Sequence, residues 1–307
     1  MSRLGVGVIG AGSISAIHLR SYAANPHVEL VAIHDLKLAR AQERAERFGV
    51  ARAYATCEEL LADPAVDAVS ICTWNDSHAA LAIAALEAGK HVLLEKPLAS
   101  SYAEGLRLVR TAEERRLTLM CDHTYCYTPS VQKIRELVST GFLGDVQYVD
   151  SVRINLGLVQ PDIDVLWDLA PHDLSILDFV LPDGCTPVAV AAQGADPIGA
   201  GRACIGYLTL HLPHGAIAHA HVNWLSPTKI RTTIVGGSKR TLVWDDLNPS
   251  QRIAVYDRGV DLDEMSADAP DERRDVMVSY RSGDMVAPAL PEREALRGVT
   301  DELAAAI

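Results

Sequence analysis

The sequence predicts an α/β protein. A doubly wound parallel sheet occupies its first part, and an α+β part with a large, open, mostly antiparallel sheet follows. Three observations predict this. Up to about residue 122, short apolar runs alternate with helix-period segments, as in parallel strands covered by helices on both faces. The first apolar run, Val6-Gly7-Val8-Ile9, breaks into Gly10-Ala11-Gly12-Ser13-Ile14-Ser15. After Thr128 the strands lengthen, and turns such as Leu212-Pro213-His214-Gly215 and Gly236-Gly237-Ser238 suit antiparallel hairpins.

Apolar runs predict strands over 5–9, 30–34, 68–72, 91–94 and 118–121. Helical spacing predicts helices over 14–24, 38–48, 78–88 and 102–115. Gly49 and Gly89 stand just past two of these as C-terminal stops, and Ser100 or Ser101 can cap the last. In the second part a helix over 130–139 ends at Gly141. Strands follow over 146–154, 204–212, 216–223, 230–235 and 242–245, with a helix over 169–180 among them. Residues 257–291 are charged and rich in Asp, Pro and Ser, which predicts a loop or mobile arm. Residues 292–307 begin a helix. The domain division expected is 1–122, a dinucleotide-binding domain, and 123–307, a substrate-binding and oligomerisation domain.

The chain has 307 residues, 49% of them hydrophobic, enough for one large or two medium cores. Its net charge of −12 provides no basic field for nucleic acid or an anionic membrane surface. No apolar run approaches the roughly 18 residues of a membrane span, and the start lacks a signal-peptide pattern, so a cytoplasmic protein is expected. The six cysteines show no CxxC spacing, and several sit in apolar runs, as reduced core thiols do.

Gly10-x-Gly12-x-x-Ser15 follows a strand and opens a helix. The first glycine permits the turn, and the second lets backbone approach a pyrophosphate at the helix start. Ser15 is small enough for the third position. Asp35 ends the second strand, where a carboxylate accepts hydrogen bonds from adenosine ribose hydroxyls and repels an extra phosphate. NAD is therefore expected over NADP, with Lys37 and Arg40 the residues that favour the alternative. Thr73-Trp74-Asn75-Asp76-Ser77-His78 follows the next strand; it reads as a helix cap by Asp76 or Ser77, a cofactor contact, or both, with Trp74 beside the nicotinamide ribose. The cofactor side is thus assigned Gly10, Gly12, Ser13, Ile14, Asp35, Thr73, Trp74, Asn75, His78, Glu95 and Lys96.

Lys96 stands at the carboxyl end of the strand His91-Val92-Leu93-Leu94, where ligands of an open parallel sheet collect, and Pro97 holds its backbone extended. Asp168 and His172 are spaced i, i+4 and share a helix face. An imidazole of near-neutral pKa can take a hydroxyl proton as hydride leaves carbon, and the carboxylate can orient it or hold substrate. The bland alternatives are a solvated Lys96 paired with Glu95, a capping aspartate and a buried histidine. Asp173 is read as structural. His123, Tyr125 and Tyr127 either line a substrate cleft or pack a domain junction. His219 and His221 face the same way on a strand but lack a third ligand, so no metal is assigned.

These stretches resemble the glucose–fructose oxidoreductase / inositol dehydrogenase / MocA family. The resemblance rests on Val8-Ile9-Gly10-Ala11-Gly12, Ala88-Gly89-Lys90-His91-Val92-Leu93-Leu94-Glu95-Lys96-Pro97-Leu98, Gly141-Phe142-Leu143-Gly144-Asp145-Val146 and Trp167-Asp168-Leu169-Ala170-Pro171-His172-Asp173. It implies an N-terminal Rossmann domain and a C-terminal domain whose open sheet builds a homodimer or homotetramer. It also implies NAD(P)-dependent oxidation or reduction of a secondary carbinol on a sugar, cyclitol or related polyol. Lys96 would be the catalytic lysine, His172 the second acid/base, and Asp168 a substrate contact or their support. Asn223-Trp224-Leu225-Ser226-Pro227 adds a likeness to members acting at the 3-position of nucleotide-linked or aminoglycoside-type sugars, with Arg153, Asn155 and Trp167 joining Lys96, Tyr125, Asp168 and His172 on the substrate side. Two departures stand out. Thr73-Trp74-Asn75 replaces the commoner Thr-Pro-Asn, and family chains run a few tens of residues further, which raises truncation as an expectation. Two other functions compete: a non-catalytic NAD-binding sensor or scaffold, and an enzyme whose tightly held NAD is recycled within each turnover.

Overall fold

The computed structural model describes residues 3–262 and 278–307. The first stretch runs β1 (Leu4–Ile9), α1 (Ser15–Ala23), β2 (Val28–His34), α2 (Leu38–Phe48), β3 (Arg52–Tyr54), α3 (Cys57–Ala62), β4 (Ala68–Ile71), α4 (His78–Glu87), β5 (His91–Leu94), α5 (Tyr102–Arg115) and β6 (Leu119–Cys121). There follow α6 (Pro129–Ser139), β7 (Val146–Leu156), α7 (Val165–Val180), β8 (Ala189–Ala195), β9 (Ile205–His211), β10 (Ile217–Asn223), β11 (Leu225–Gly237), β12 (Thr241–Asp245), β13 (Ile253–Leu262), β14 (Val278–Val286) and α8 (Ala295–Ala306).

The chain divides into two compact units. One comprises Met1–Thr128, Gln160–His172 and Glu292–Ile307; the other comprises Pro129–Val159 and Asp173–Pro291.

In the first unit six strands pair in the order β3-β2-β1-β4-β5-β6, every pair parallel. Neighbouring residues on β5 belong to different cores. Val92 and Leu94 join Leu60, Ile83, Leu86 and Leu108 of α3, α4 and α5, whereas Leu93 joins Val6, Tyr22, Leu296, Val299 and Leu303 of β1, α1 and α8. Burial on both faces explains why these strands read as continuous apolar runs. Helix stops and starts follow local chemistry. Gly49 closes α2 in the left-handed region at φ 69°, and the Ser101 hydroxyl accepts from Glu104 N at 3.3 Å to cap α5. β3 and α3 were not expected; α3 carries a capping box between Thr56 and Glu59.

In the second unit eight strands pair in the order β14-β13-β12-β11-β7-β10-β9-β8. All these pairs are antiparallel except β7 with β10. Leu208, Leu210, Ala218, Ala220 and Val222 are buried, while their alternating neighbours Tyr207 and Ile217 are exposed. Ile134 of α6 and Ile176, Leu177 and Val180 of α7 converge with Val149 and Val235 on the covered face.

The loop or mobile arm expected over 257–291 is corrected in its described parts. β13 and β14 pair antiparallel across it, from Val255↔Val286 to Leu262↔Val278, and 263–277 lie outside the described residues. Its charged composition belongs to a strand pair at the sheet edge joined through backbone, with side chains pairing across it: Arg281 Nε meets Asp257 Oδ1 at 3.1 Å, and Arg240 Nη2 lies 3.8 Å from Asp257 Oδ2. β8, also not expected, is an exposed edge strand of small residues.

Candidate active site

Four strand ends of the parallel sheet, those of β1, β2, β4 and β5, supply the site. Strand order reverses between β1 and β4, the place where ligands enter sheets of this kind. Gly10 leaves β1 at φ +99°, with Cys72 O only 2.5 Å from where a side-chain carbon would stand, so only glycine fits. Gly12 differs: a Cβ there would meet nothing within 4 Å. Ser15 is fully buried, and its hydroxyl donates to Gly12 O at 2.8 Å, bracing the turn. No side chain caps α1 at Ile14, and Ser13 and Ile14 stand exposed at its start. Uncapped N–H groups beneath an open glycine are the chemistry a pyrophosphate needs, so the turn fits a dinucleotide.

Asp35 follows β2. Its Oδ2 accepts from Ala11 N at 2.9 Å and its Oδ1 from Lys37 N at 2.8 Å, which orients the carboxylate beside the glycine turn. Arg40 Nη1 lies 4.0 Å from it.

The loop after β4 holds Thr73, Trp74 and Asn75. Trp74 is 62% exposed. Ser77 stands at the N-cap position of α4, yet its hydroxyl lies within hydrogen-bond distance of Thr73 Oγ1 and Trp74 O, each at 2.7 Å. Asn75 donates to Asp162 Oδ2 at 2.9 Å. His78 is buried, with Nδ1 2.9 Å from Pro97 O and Nε2 3.3 Å from Thr73 O. The ring therefore ties the loop after β5 to the loop after β4, and both nitrogens are engaged by backbone.

Lys96 follows β5. Its Nζ donates to Asp168 Oδ1 at 2.7 Å and to Asp168 O at 3.0 Å. The partner lies in the first turn of α7, whose start is braced by Asp164 Oδ1 accepting from Trp167 N. His172 comes one turn later on the same face and meets the Tyr125 ring edge-on at 5.0 Å. Trp167 is 42% exposed beside them in sequence. Lysine, carboxylate, imidazole and phenol thus gather within the first unit. Such a set can hold a hydroxyl and move its proton.

Other expected residues have different surroundings. Arg153, on β7 in the second unit, is 4% exposed and grips Asp173 in two directions, Nε to Oδ2 at 3.1 Å and Nη2 to Oδ1 at 3.0 Å. Ser151 Oγ donates to the same carboxylate at 2.8 Å. Asn155, two residues on, is half-buried near that strand's end. Tyr127 packs against Gly298 of α8 and the core around Leu296; burial, then Glu302, Cys126 and Asp122, pushes its phenol up to about 12. His219 and His221 flank Tyr207, with the His221 ring stacked at 4.5 Å. All six cysteines are free.

One group was missed from the sequence. His18 in α1 is fully buried, with Nε2 2.8 Å from Glu95 Oε1 and 3.3 Å from Asp122 Oδ2, and Nδ1 3.1 Å from Ser70 Oγ. Burial pulls its pKa down, but Cys72, Asp122 and Glu95 pull it up further, leaving it well above the usual value. No spacing in the sequence joins residues 18, 95 and 122.

Comparison with known proteins identifies the family of both halves of the chain. Residues 4–123 match the family described as "Oxidoreductase family, NAD-binding Rossmann fold", and residues 131–243 match the "GFO/IDH/MocA C-terminal domain". The chain belongs to the Gfo/Idh/MocA oxidoreductase family. It is 32% identical over 262 residues to the UDP-N-acetylglucosamine 3-dehydrogenase of Acidithiobacillus ferrooxidans, spanning 84% of this chain and 79% of that one. A solved structure of that dehydrogenase superposes with a TM-score of 0.79 at 28% identity, covering 100% of this chain and 89% of the other. GenD2 from gentamicin A biosynthesis, in complex with NAD, superposes with a TM-score of 0.79 at 25% identity, covering 99% and 86%. Among the described residues, no helix is long and apolar enough to cross a membrane.

Proposed function

We propose that this oxidoreductase moves a hydride between NAD and a secondary carbinol of a sugar, nucleotide sugar, aminoglycoside or cyclitol, with Lys96 and His172 as acid/base groups. The observation that carries this is the Lys96–Asp168 pair at the carboxyl end of β5, in one unit with the glycine turn. When bound, the nicotinamide supplies the hydride acceptor. Gly10, Gly12, Ser13 and Ile14 hold the pyrophosphate through backbone, and Asp35 takes the adenosine ribose hydroxyls, which favours NAD over NADP. Thr73, Trp74 and Asn75 form the wall on the nicotinamide side, with His78 tying their loop to Pro97 and Glu95 held behind Lys96 by His18.

Lys96, as the neutral amine, accepts the substrate hydroxyl's proton as the carbinol carbon gives up its hydride to the nicotinamide. Asp168 keeps Nζ aimed and shares the resulting charge. His172, one helical turn on, passes the proton outward or takes that role itself. Tyr125 and Trp167 border the sugar, while Arg153 fixes β7 to α7 through Asp173. Holding the carbinol in near-attack geometry supplies much of the rate.

The similarity to a UDP-N-acetylglucosamine 3-dehydrogenase and to a gentamicin A biosynthesis protein supports sugars carrying amino or nucleotide groups. The protein works in the cytoplasm, and a second copy covers the open face of the eight-stranded sheet, where Tyr148, Tyr207 and Ile217 are exposed. The test is NAD reduction on a panel of UDP-N-acetylglucosamine, an aminoglycoside, glucose and myo-inositol, run beside Lys96→Met. Turnover with the parent and none with the variant is expected; full activity of Lys96→Met overturns the assignment. An Asp35→Ser protein should lose its preference for NAD over NADP.

A further inference from the structure

Three elements bring charged groups together behind Lys96. His18 comes from α1, the helix opened by the glycine turn; Glu95 stands one residue past β5; Asp122 stands one residue past β6. All three are nearly excluded from water, with side-chain exposures of 1%, 14% and 1%. The 2.8 Å from His18 Nε2 to Glu95 Oε1 is a hydrogen-bond distance. Donors around a tetrahedral zinc at ~2.1 Å would stand about 3.4 Å apart, so a shared proton describes the contact better than a metal does.

Glu95 continues the ladder of β5, its N donating to Ile71 O at 3.2 Å. Along an extended strand successive side chains point to opposite faces. Leu94 packs in the α4–α5 core, Glu95 meets α1, and Lys96 returns to the other side to reach Asp168. Fixing Glu95 on one face therefore fixes where Lys96 emerges on the other. Cys121 lies among these charges: burial, Asp122 and Glu95 push its thiol up to about 12, while Lys96 pulls it down.

We propose that His18 is a positioning residue for Lys96: its imidazole bridges Glu95 and Asp122 across the ends of β5 and β6 and so presents the lysine to the site from a fixed strand end. The importance of that presentation for turnover rests on the function proposed above; the bridge itself does not. On its other side His18 meets Ser70 Oγ and lies near Cys72 and the Tyr22 ring, 6.4 Å away, so the two ring nitrogens have separate duties.

The two duties can be separated by substitution. In His18→Gln the amide nitrogen replaces Nε2 and keeps the contact with Glu95. In His18→Asn it replaces Nδ1, keeping Ser70 and abandoning Glu95. The full chain, labelled with 13C at lysine Cε, is read by NMR with Lys96→Met for assignment. Lys90, whose Nζ donates to Asp63 O and Val66 O, is the internal control. In the parent the two ε-protons of Lys96 have distinct shifts, because the side chain is held. They stay distinct in His18→Gln and collapse to one value in His18→Asn, with Lys90 unchanged. Parent-like Lys96 signals in His18→Asn, or equal change in both variants, overturn the proposal. Should His18→Asn not fold, Glu95→Asp withdraws the carboxylate from Nε2 and must collapse the same signals. With any panel substrate that reacts, His18→Asn lowers kcat roughly tenfold or more while the KM for NAD stays within about threefold. Turnover retained by Lys96→Met would defeat the proposed function and leave the Lys96 spectrum to decide this bridge.

Discussion

The two sheets manage buried charge differently. At the carboxyl edge of the parallel sheet, charged groups from different strand ends and helices meet: Lys96 with Asp168, and His18 between the carboxylates of Glu95 and Asp122. In the antiparallel sheet the principal buried charge is closed on itself. Arg153 and Asp173 satisfy one another in two directions, with Ser151 on the same carboxylate and Thr233 3.3 Å from that serine. The contrast separates charge that holds a fold from charge available for chemistry. An internally matched pair fixes strand to helix, whereas strand ends in a parallel sheet aim side chains at a ligand.

The largest test of this contrast concerns the two charged pairs. Lys96→Met should reduce kcat about 1000-fold while leaving the urea midpoint nearly unchanged. Asp173→Ala should do the reverse. Leaving Arg153 buried and unmatched costs about 3–5 kcal/mol, read as a lowered urea midpoint, with turnover per folded molecule close to the parent's. A large kcat loss in folded Asp173→Ala would break the comparison.

The glycine turn sharpens it next. Gly12→Ala should weaken NAD binding about tenfold or more, measured by titration, yet shift stability by no more than ~1 kcal/mol, because the new methyl meets only open space. Gly10→Ala, forced against Cys72 O, should fail to accumulate as folded protein.

A smaller effect follows from His18, whose folded pKa is raised above its unfolded value near 6.5. The stability it contributes is fully present below about pH 6.5 and is lost as pH rises through the folded pKa. Urea unfolding at a series of pH values should show that decline in the parent and not in His18→Gln. The smallest effect belongs to the open sheet face: Tyr207→Asp should convert an oligomer to single chains in sedimentation, with a stability change within ~1 kcal/mol.

The sequence made the parallel sheet legible because strands buried on both faces leave unbroken apolar runs such as His91-Val92-Leu93-Leu94. The antiparallel sheet was legible only where one face alternates, as in β9 and β10. β8 escaped because Ala189–Ala195 is exposed on both faces and shows no apolar–polar alternation. The edge strand β14 and its neighbour β13 escaped because their charged residues read as disorder in composition. In the site, Asp168 and His172 were visible through helical spacing, and Lys96 through its strand end. The His18 contacts were not, since they join three segments that only folding brings together. Arg153 illustrates the limit: a charged residue reads the same whether it faces a ligand or an internal partner.

The return of α8 to the first unit has a consequence for biosynthesis. Leu296, Val299 and Leu303 pack with Val6 and Tyr22, Ser21 meets Thr300 at 3.2 Å, and Asn25 meets Asp301 at 3.1 Å. A nascent chain that has emerged only through β6 therefore carries an apolar flank that α1 covers only in part. That flank waits for α8 until translation has passed through the strands of the antiparallel sheet.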